Sequence, residues 1–188
     1  GTNTTTQSVN INVTNENDND PSFTSASSFS AEENQTGVGT AAATDADGDT
    51  LTYSLTGTDA STFSINSSSG VITFNSAPNY ETKTSYSITV NVSDGTNTTT
   101  QSVNINVTDI NEFSPVISTS ATFSVAENQT SVGTVTASDS DSGQFLDFAL
   151  SGTDATAFNI QEQGGANPRS GVITFKSAPN YEATNSFS

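Results

Sequence analysis

The chain is 188 residues long, room for about two sandwich domains of roughly 100 residues, and its 20 Asp and Glu against 3 Lys and Arg give a net charge of -17. That charge excludes a nucleic-acid backbone or an anionic lipid layer as partner, because both bind through clustered cations. With no His and no Cys there is no Ser-His-Asp or Cys-His nucleophile, no His or Cys zinc site, no iron–sulfur cluster and no disulfide. Hard cations held by oxygen ligands remain possible.

Apolar content is low. Hydrophobic residues are 31% of the chain, and even with glycine the total falls short of the roughly 45–50% of globular domains, near the edge of disorder. No run approaches the ~20 apolar residues of a membrane span. The chain opens at Gly1 with neither Met nor a secretory signal, so it is expected to be an internal stretch of a longer protein.

Repetition argues for folding where composition does not. In chain order, residues 1–14, GTNTTTQSVNINVT, recur unchanged as residues 95–108. Val9, Ile11 and Val13 alternate with polar residues, so 1–14 is predicted as the last strand of a preceding, truncated unit, with 15–21 as a linker. A complete unit follows over 22–108, with strands predicted at about 25–32, 37–44, 50–56, 62–66, 70–75, 84–93 and 99–108. Thr dominates the polar face and, being β-branched, suits a pleated surface. A second linker, 109–115, leads to a unit over 116–188. There Leu146 to Ile160 repeats Leu51 to Ile65, and Gly171-Val172-Ile173-Thr174-Phe175 repeats Gly70 to Phe74 after six inserted residues. This unit is predicted to hold the first five strands and to stop inside its sixth. No amphipathic helix is found. Seven short alternating strands per unit predict an all-β fold of tandem immunoglobulin-like, seven-stranded Greek-key β-sandwiches.

The acids recur with the strands. They stand in Asn15-Glu16-Asn17-Asp18-Asn19-Asp20-Pro21 and its counterpart Asp109-Ile110-Asn111-Glu112-Phe113-Ser114-Pro115. They stand again in Asp45-Ala46-Asp47-Gly48-Asp49 and Asp139-Ser140-Asp141, at Glu81 and Glu182, at Glu33 and Glu127, and at Asp94. Taken alone, Asp47-Gly48-Asp49 reads as a solvated turn. It is not an EF-hand, because Thr50 and Thr56 occupy the positions that need Gly and Glu. The ordered recurrence of all five clusters favours a shared cation instead.

This order of motifs resembles the cadherin repeat family: Ala31-Glu32-Glu33-Asn34, Asp45-Ala46-Asp47, Ile65 to Thr73, Asn79-Tyr80-Glu81 and the two Asp/Asn-rich linkers. The Ser, Thr and Asn dressing looks more like bacterial or metagenomic cadherin-like arrays than an animal receptor. The resemblance implies three Ca²⁺ at each junction between repeats. It implies Glu33, Asn79 and Glu81 as ligands from the upper repeat, Asp109, Asn111 and Glu112 with the carbonyls of Ile110 and Phe113 from the linker, and Asp139 and Asp141 from the lower one. For the junction before the complete unit it implies Asn17, Asp18 and Asn19 with Asp45, Asp47 and Asp94. Neither ligand set is complete, the one around 109–115 being nearer to it. Asn79, Asn15, Glu112 and Phe113 depart from the family's pattern, so Ca²⁺ is expected to bind weakly, at about 10⁻⁴–10⁻³ M.

The resemblance further implies a calcium-stiffened cell-surface protein that mediates adhesion, homophilic or to like domains of another surface protein, anchored through a region outside this stretch. The alternatives are a polysaccharide-binding module, disfavoured by the absence of Trp, and a passive spacer of a secreted bacterial protein. Enzyme activity is not expected. Phe23, Phe29, Tyr53 and Phe63 are predicted core, and the Asn-x-Ser/Thr sequons are assigned no role.

Overall fold

Alternation of Val and Ile with Thr, Ser and Asn becomes pleated sheet wherever a partner strand lies alongside. The computed structural model describes residues 1–141 and 143–188, and the chain divides into two units, Gly1–Thr108 and Asp109–Ser188. The first unit holds β1 (Ser22–Phe23), β2 (Ser28–Glu32), β3 (Gly37–Thr40), β4 (Ala43–Thr44), β5 (Thr52–Thr56), β6 (Phe63–Ile65), β7 (Val71–Phe74), β8 (Ser85–Ser93) and β9 (Thr98–Thr108). One sheet runs β2-β9-β8-β5 and the other β3-β7-β6, with β1 and β4 as a separate ribbon. The β2–β9 pair is parallel and every other pair antiparallel.

The predicted strands therefore form, with two interruptions. The predicted 37–44 strand breaks at Ala41-Ala42, where it leaves one sheet for another. Ala41 N donates to Gly70 O, and Ala42 O accepts from the amides of Thr24 and Ser25. The strand predicted at 25–32 starts later, at Ser28, because β1 upstream is occupied by β4.

Period two puts one stripe of each strand inside. Ile88, Val90 and Val92 of β8 and Val103, Ile105 and Val107 of β9 are buried, and so are Phe63, Ile72 and Phe74 of the second sheet. Each such side chain stabilises the fold by about 1.5–3 kcal/mol. Tyr86 closes one end of the core, its ring 5.5 Å from Phe63 and 5.2 Å from Phe74, both edge-on. Gly39 is required because a Cβ there would lie 2.6 Å from the Phe29 ring, and Gly133 faces Phe123 in the same way at 2.4 Å.

The second unit holds β10 (Val116–Ile117), β11 (Ser131–Ser138), β12 (Phe158–Gly164) and β13 (Arg169–Phe175), in one sheet of order β10-β11-β13-β12. The inserted residues lengthen its β12–β13 hairpin to seven residues a side, against three and four in β6 and β7. Phe158, Phe175 and Phe187 form a ring cluster like that of Phe63, Phe74 and Tyr86.

Among the described residues three predicted strands do not form, and the closing residues 185–188, expected to begin the second unit's sixth, carry no strand either. Residues 122–126 and 147–151 repeat β2 and β5 in sequence but carry no ladder. In the first unit β2 pairs with β9 and β5 with β8, and no described strand of the second unit takes those places. Their side chains Phe123, Val125 and Leu150 line an open groove with Phe158 and Phe175. Residues 1–14 are the third case. They are identical to 95–108, most of which is β9, yet form no strand, and Val9, Ile11 and Val13 are 72%, 83% and 93% exposed. Backbone N–H and C=O groups need a partner to leave water, so the same letters are sheet in one place and not in the other.

Asp59 ties a 3-10 turn, Ala60–Thr62, to β8: its carboxylate accepts from Ser87 N at 2.8 Å and pairs with Lys83 Nζ at 2.6 Å. The Lys83 ammonium, and then the Ser87 amide, hold this carboxyl below the usual Asp range. A depressed folded pKa adds stability that is present above about pH 4 and lost as the pH falls through the folded value. Asp59→Asn is expected to melt below the wild type at pH 7, with the gap closing below about pH 4. Thermal melts across pH check this, and a gap independent of pH would contradict it.

Candidate metal centres

In the first unit the Asp-x-Asp segment follows β4 and folds back on itself. Asp45 Oδ1 accepts from the amides of Asp47 at 2.9 Å and Asp49 at 3.3 Å, as an Asp at a turn does. Asp47 then reaches the preceding linker, where its Oδ2 accepts from the amides of Asp18 (3.0 Å) and Asn19 (2.8 Å). Asn19 Nδ2 donates to Asp47 Oδ1 and to Asp18 Oδ1, both at 2.9 Å, and Asn15 Nδ2 donates to Asp47 O at 2.8 Å. From the β8–β9 turn, Asp94 accepts from the amides of Thr96 and Asn97, and Asn97 Nδ2 donates to Asn17 Oδ1 at 3.4 Å. These contacts bring Asn17, Asp18, Asn19, Asp45, Asp47 and Asp94 together.

Asp49 belongs with them. Asp45, Asp47 and Asp49 each offer a carboxylate oxygen within 4.8 Å of the others, yet the sequence reading left Asp49 in a turn. The available signal was the third acid of Asp45-Ala46-Asp47-Gly48-Asp49. Asp45 Oδ2 and Asp49 Oδ2 are buried without a hydrogen-bond partner. A buried carboxylate oxygen needs a proton or a cation, and an all-oxygen donor set suits a hard cation such as Ca²⁺.

The charges respond accordingly. The Asn19 amide, then its side chain and the Asp18 amide, hold the Asp47 carboxyl below its ordinary value despite some desolvation. Desolvation pushes Asp94 up, but the donors of Asn97 and Thr96 outweigh it and the net shift is down. Asp49 is pushed up, first by burial and then by the charges of Asp45, Asp47 and Asp94.

The second unit repeats this geometry. Asp139 Oδ1 accepts from Asp141 N at 3.1 Å. Asp141 Oδ2 accepts from the linker amides of Glu112 (3.0 Å) and Phe113 (2.8 Å), the counterparts of Asp18 and Asn19. Asp141 is fully buried, and its Oδ1 has no hydrogen-bond partner among the described residues. An oxygen of Asp109 lies within 4.8 Å of one of Asp141. Asn111 Nδ2 donates instead to Gln144 Oε1 at 3.2 Å, and Ile110 is 36% exposed.

In the first unit Glu33, Asn79 and Glu81 come from two turns. Glu33 is fully buried and accepts from Tyr80 N at 2.8 Å, and one of its oxygens lies within 4.8 Å of one of Glu81. Asn34 supports the turn at φ 60°, a left-handed conformation that Asn tolerates, with its N–H donating to Pro78 O. Asn79 Oδ1 accepts from the Thr82 amide and hydroxyl, closing its own turn. The second unit copies the arrangement with Tyr181 N on Glu127 and Asn128 at φ 62°.

A family model for the cadherin domain matches residues 27–108. Human protocadherin Fat 4 is 32% identical over 144 residues, 71% of this chain and 3% of that protein. The chain belongs to the cadherin repeat family. Mouse cadherin EGF LAG seven-pass G-type receptor 1 is 40% identical over 101 residues, half of this chain and again 3% of the relative. The cadherin repeats here thus span a very small part of the curated relatives they match. Those relatives are animal proteins and lend no support to the bacterial look of the surface. Among solved structures, the human desmocollin-1 ectodomain covers 90% of this chain and is itself covered over 36%, at TM-score 0.71 and 25% identity. Mouse cadherin-23 EC22-24 covers 88% and is covered over 56%, at TM-score 0.67 and 28% identity. The fold is the all-β, immunoglobulin-like sandwich of cadherin ectodomains.

A carboxyl whose folded pKa is raised weakens the fold once it ionises. Asp49→Asn is therefore expected to raise the metal-free melting temperature at pH 7. The gain should vanish below about pH 4, where Asp49 is protonated both folded and unfolded. The same variant is expected to lose much of any stabilisation by Ca²⁺. Melts with chelator and with Ca²⁺ check both, and an unchanged or lower metal-free midpoint at pH 7 would contradict the first.

Proposed function

We propose that this chain binds Ca²⁺ through its acidic loops and serves as an extracellular stretch of a cell-surface adhesion protein. The observation that carries the proposal is a shared one. In each unit an Asp-x-Asp segment, bonded to the backbone of the preceding linker, keeps buried carboxylate oxygens with no hydrogen-bond partner among the described residues: Asp45 and Asp49 in one, Asp141 in the other. The proposed ligands are Asp45, Asp47, Asp49 and Asp94 with linker residues Asn17, Asp18 and Asn19, and Asp139 and Asp141 with Asp109, Asn111 and Glu112 and the carbonyls of Ile110 and Phe113. Glu33, Asn79 and Glu81 enter through the family's pattern.

When bound, the ion supplies the positive charge that the excess of acids lacks. This chain's part is to fix each Asp-x-Asp segment and its linker in one arrangement, so that like charges which otherwise repel become common ligands. A linker neutralised in this way is stiffer than a bare one, and the resulting rod suits a role in adhesion between like repeats of the same or another surface protein. Weak sites fill only where free Ca²⁺ is abundant, which argues for the extracellular side. Among the described residues no helix is long and apolar enough to cross a membrane.

Calorimetric titration in about 0.15 M salt is expected to give saturable Ca²⁺ binding near 10⁻⁴–10⁻³ M with little response to Mg²⁺, which prefers near-ideal octahedral sites. The melting temperature should rise with Ca²⁺, and replacing Asp139 and Asp141 by Ala should remove part of the bound ion. No heat and no shift in melting at 10 mM Ca²⁺, on the order of ten times the weakest expected constant, would overturn the proposal.

A further inference from the structure

The six-residue insertion of the second unit lies in the β12–β13 hairpin, between Ile160 and Gly171. Its strands run in unbroken register out to Gly164↔Arg169. Arg169 pins the hairpin, pairing with Glu162 at 2.7 Å and donating to Leu146 O at 2.9 Å, while Glu162 Oε1 accepts from Phe148 N. At the tip this places Asn167 against the Asp-x-Asp segment. Its Oδ1 accepts from Asp139 N at 3.0 Å, and its Nδ2 donates to Asp139 O at 2.8 Å and to Asp141 O at 3.1 Å. One side-chain amide thereby satisfies three backbone groups across the segment.

The first unit has a tight turn in place of the insertion, and there the carbonyl of Asp47, counterpart of Asp141, is met from the linker by Asn15 Nδ2. The residue matching Asn15 in the second linker is Asp109, whose carboxylate side chain has no N–H to give. The two exchanges go together. Where position 15 braces the segment, it is an amide; where the hairpin braces it, the linker position carries a carboxylate within 4.8 Å of Asp141. We infer that Asn167 is a positioning residue for the Asp139–Asp141 segment, and that the inserted hairpin supplies the brace which a linker carrying Asp109 in place of Asn15 does not. This rests on the Ca²⁺ reading for its purpose, though not for its geometry.

The test uses the whole chain and amide-resolved NMR, first metal-free and then titrated with CaCl₂. In metal-free Asn167→Ala, hydrogen exchange at the Asp139 and Asp141 amides is expected to speed up, while amides of the 45–49 segment stay as in the wild type. On titration, the apparent Kd read at Asp141, Glu112 and Phe113 should rise about tenfold, the scale on which ligand-orienting partners act, with no change at Asp45 and Asp47. Adding Asp109→Asn, which restores the arrangement of the first unit, should slow Asp141 exchange again. A residue with a merely structural role would not be rescued from position 109.

Should Asn167→Ala unfold the second unit, seen as loss of the β12 and β13 amide signals, the comparison moves to metal-free Asn167→Asp. That variant keeps the acceptor for Asp139 N and loses both donations, and faster Asp141 exchange is again expected. Wild-type exchange at Asp141 in a folded variant overturns the inference, and so does a wild-type Kd in Asn167→Ala. If no variant and no wild-type signal responds to Ca²⁺, the calcium proposal fails, and the exchange data alone decide whether Asn167 positions the segment.

Discussion

The pairing of β8 with β9, continuous from Ser85↔Asn106 to Ser93↔Thr98, holds the first unit together. Both outer strands of its larger sheet hang on it, β2 on one side and β5 on the other. Its inner stripe of Ile88, Val90, Val92, Val103, Ile105 and Val107 is one wall of the core. A chain so poor in apolar residues can fold because it concentrates them there. Thr, Ser and Asn fill the outer face, where they cost little and favour an extended backbone.

The same pair delivers the candidate metal centre. Its turn carries Asp94 and Asn97, and Asn97 reaches the linker at Asn17. The Asp-x-Asp segment meets the linker through Asp47. Three segments far apart in sequence are therefore held together mostly by backbone amides and Asn side chains donating to carboxylates, not by lysine or arginine. Such donors order the acids without neutralising them, and Asp49 keeps the strain of that arrangement in its raised pKa. A fixed set of under-neutralised oxygens is what a hard cation requires.

Much of this was legible in the sequence, because the repeat placed the same alternation and the same acids at matching positions. What was not legible is non-local. Residues 1–14 and 95–108 are the same letters, and only contact with β2 and β8 makes the second copy a strand. Residues 122–126 and 147–151 failed for the same reason. Around the candidate metal centres, recurrence singles out Asp45, Asp47, Asp139 and Asp141, whereas Asp49 is hidden behind a turn signal that it also satisfies. Asn15 and Asn167 were invisible as braces, since each acts on a segment about 30 residues away in sequence, on opposite sides of it. Nor was it legible that the Asn79 amide oxygen accepts from Thr82 within its own turn.

On the proposed reading a cation sits against the carboxylate oxygens of Asp45, Asp49 and Asp141 that have no hydrogen-bond partner among the described residues. Anomalous diffraction from crystals grown with Ca²⁺, or soaked in a lanthanide that scatters more strongly, tests it most directly. Metal peaks are expected in coordination contact with Asp45 and Asp49 in the first unit and with Asp141 in the second. Ordered water or a protonated carboxyl at those oxygens, with no metal peak at millimolar Ca²⁺, would contradict it.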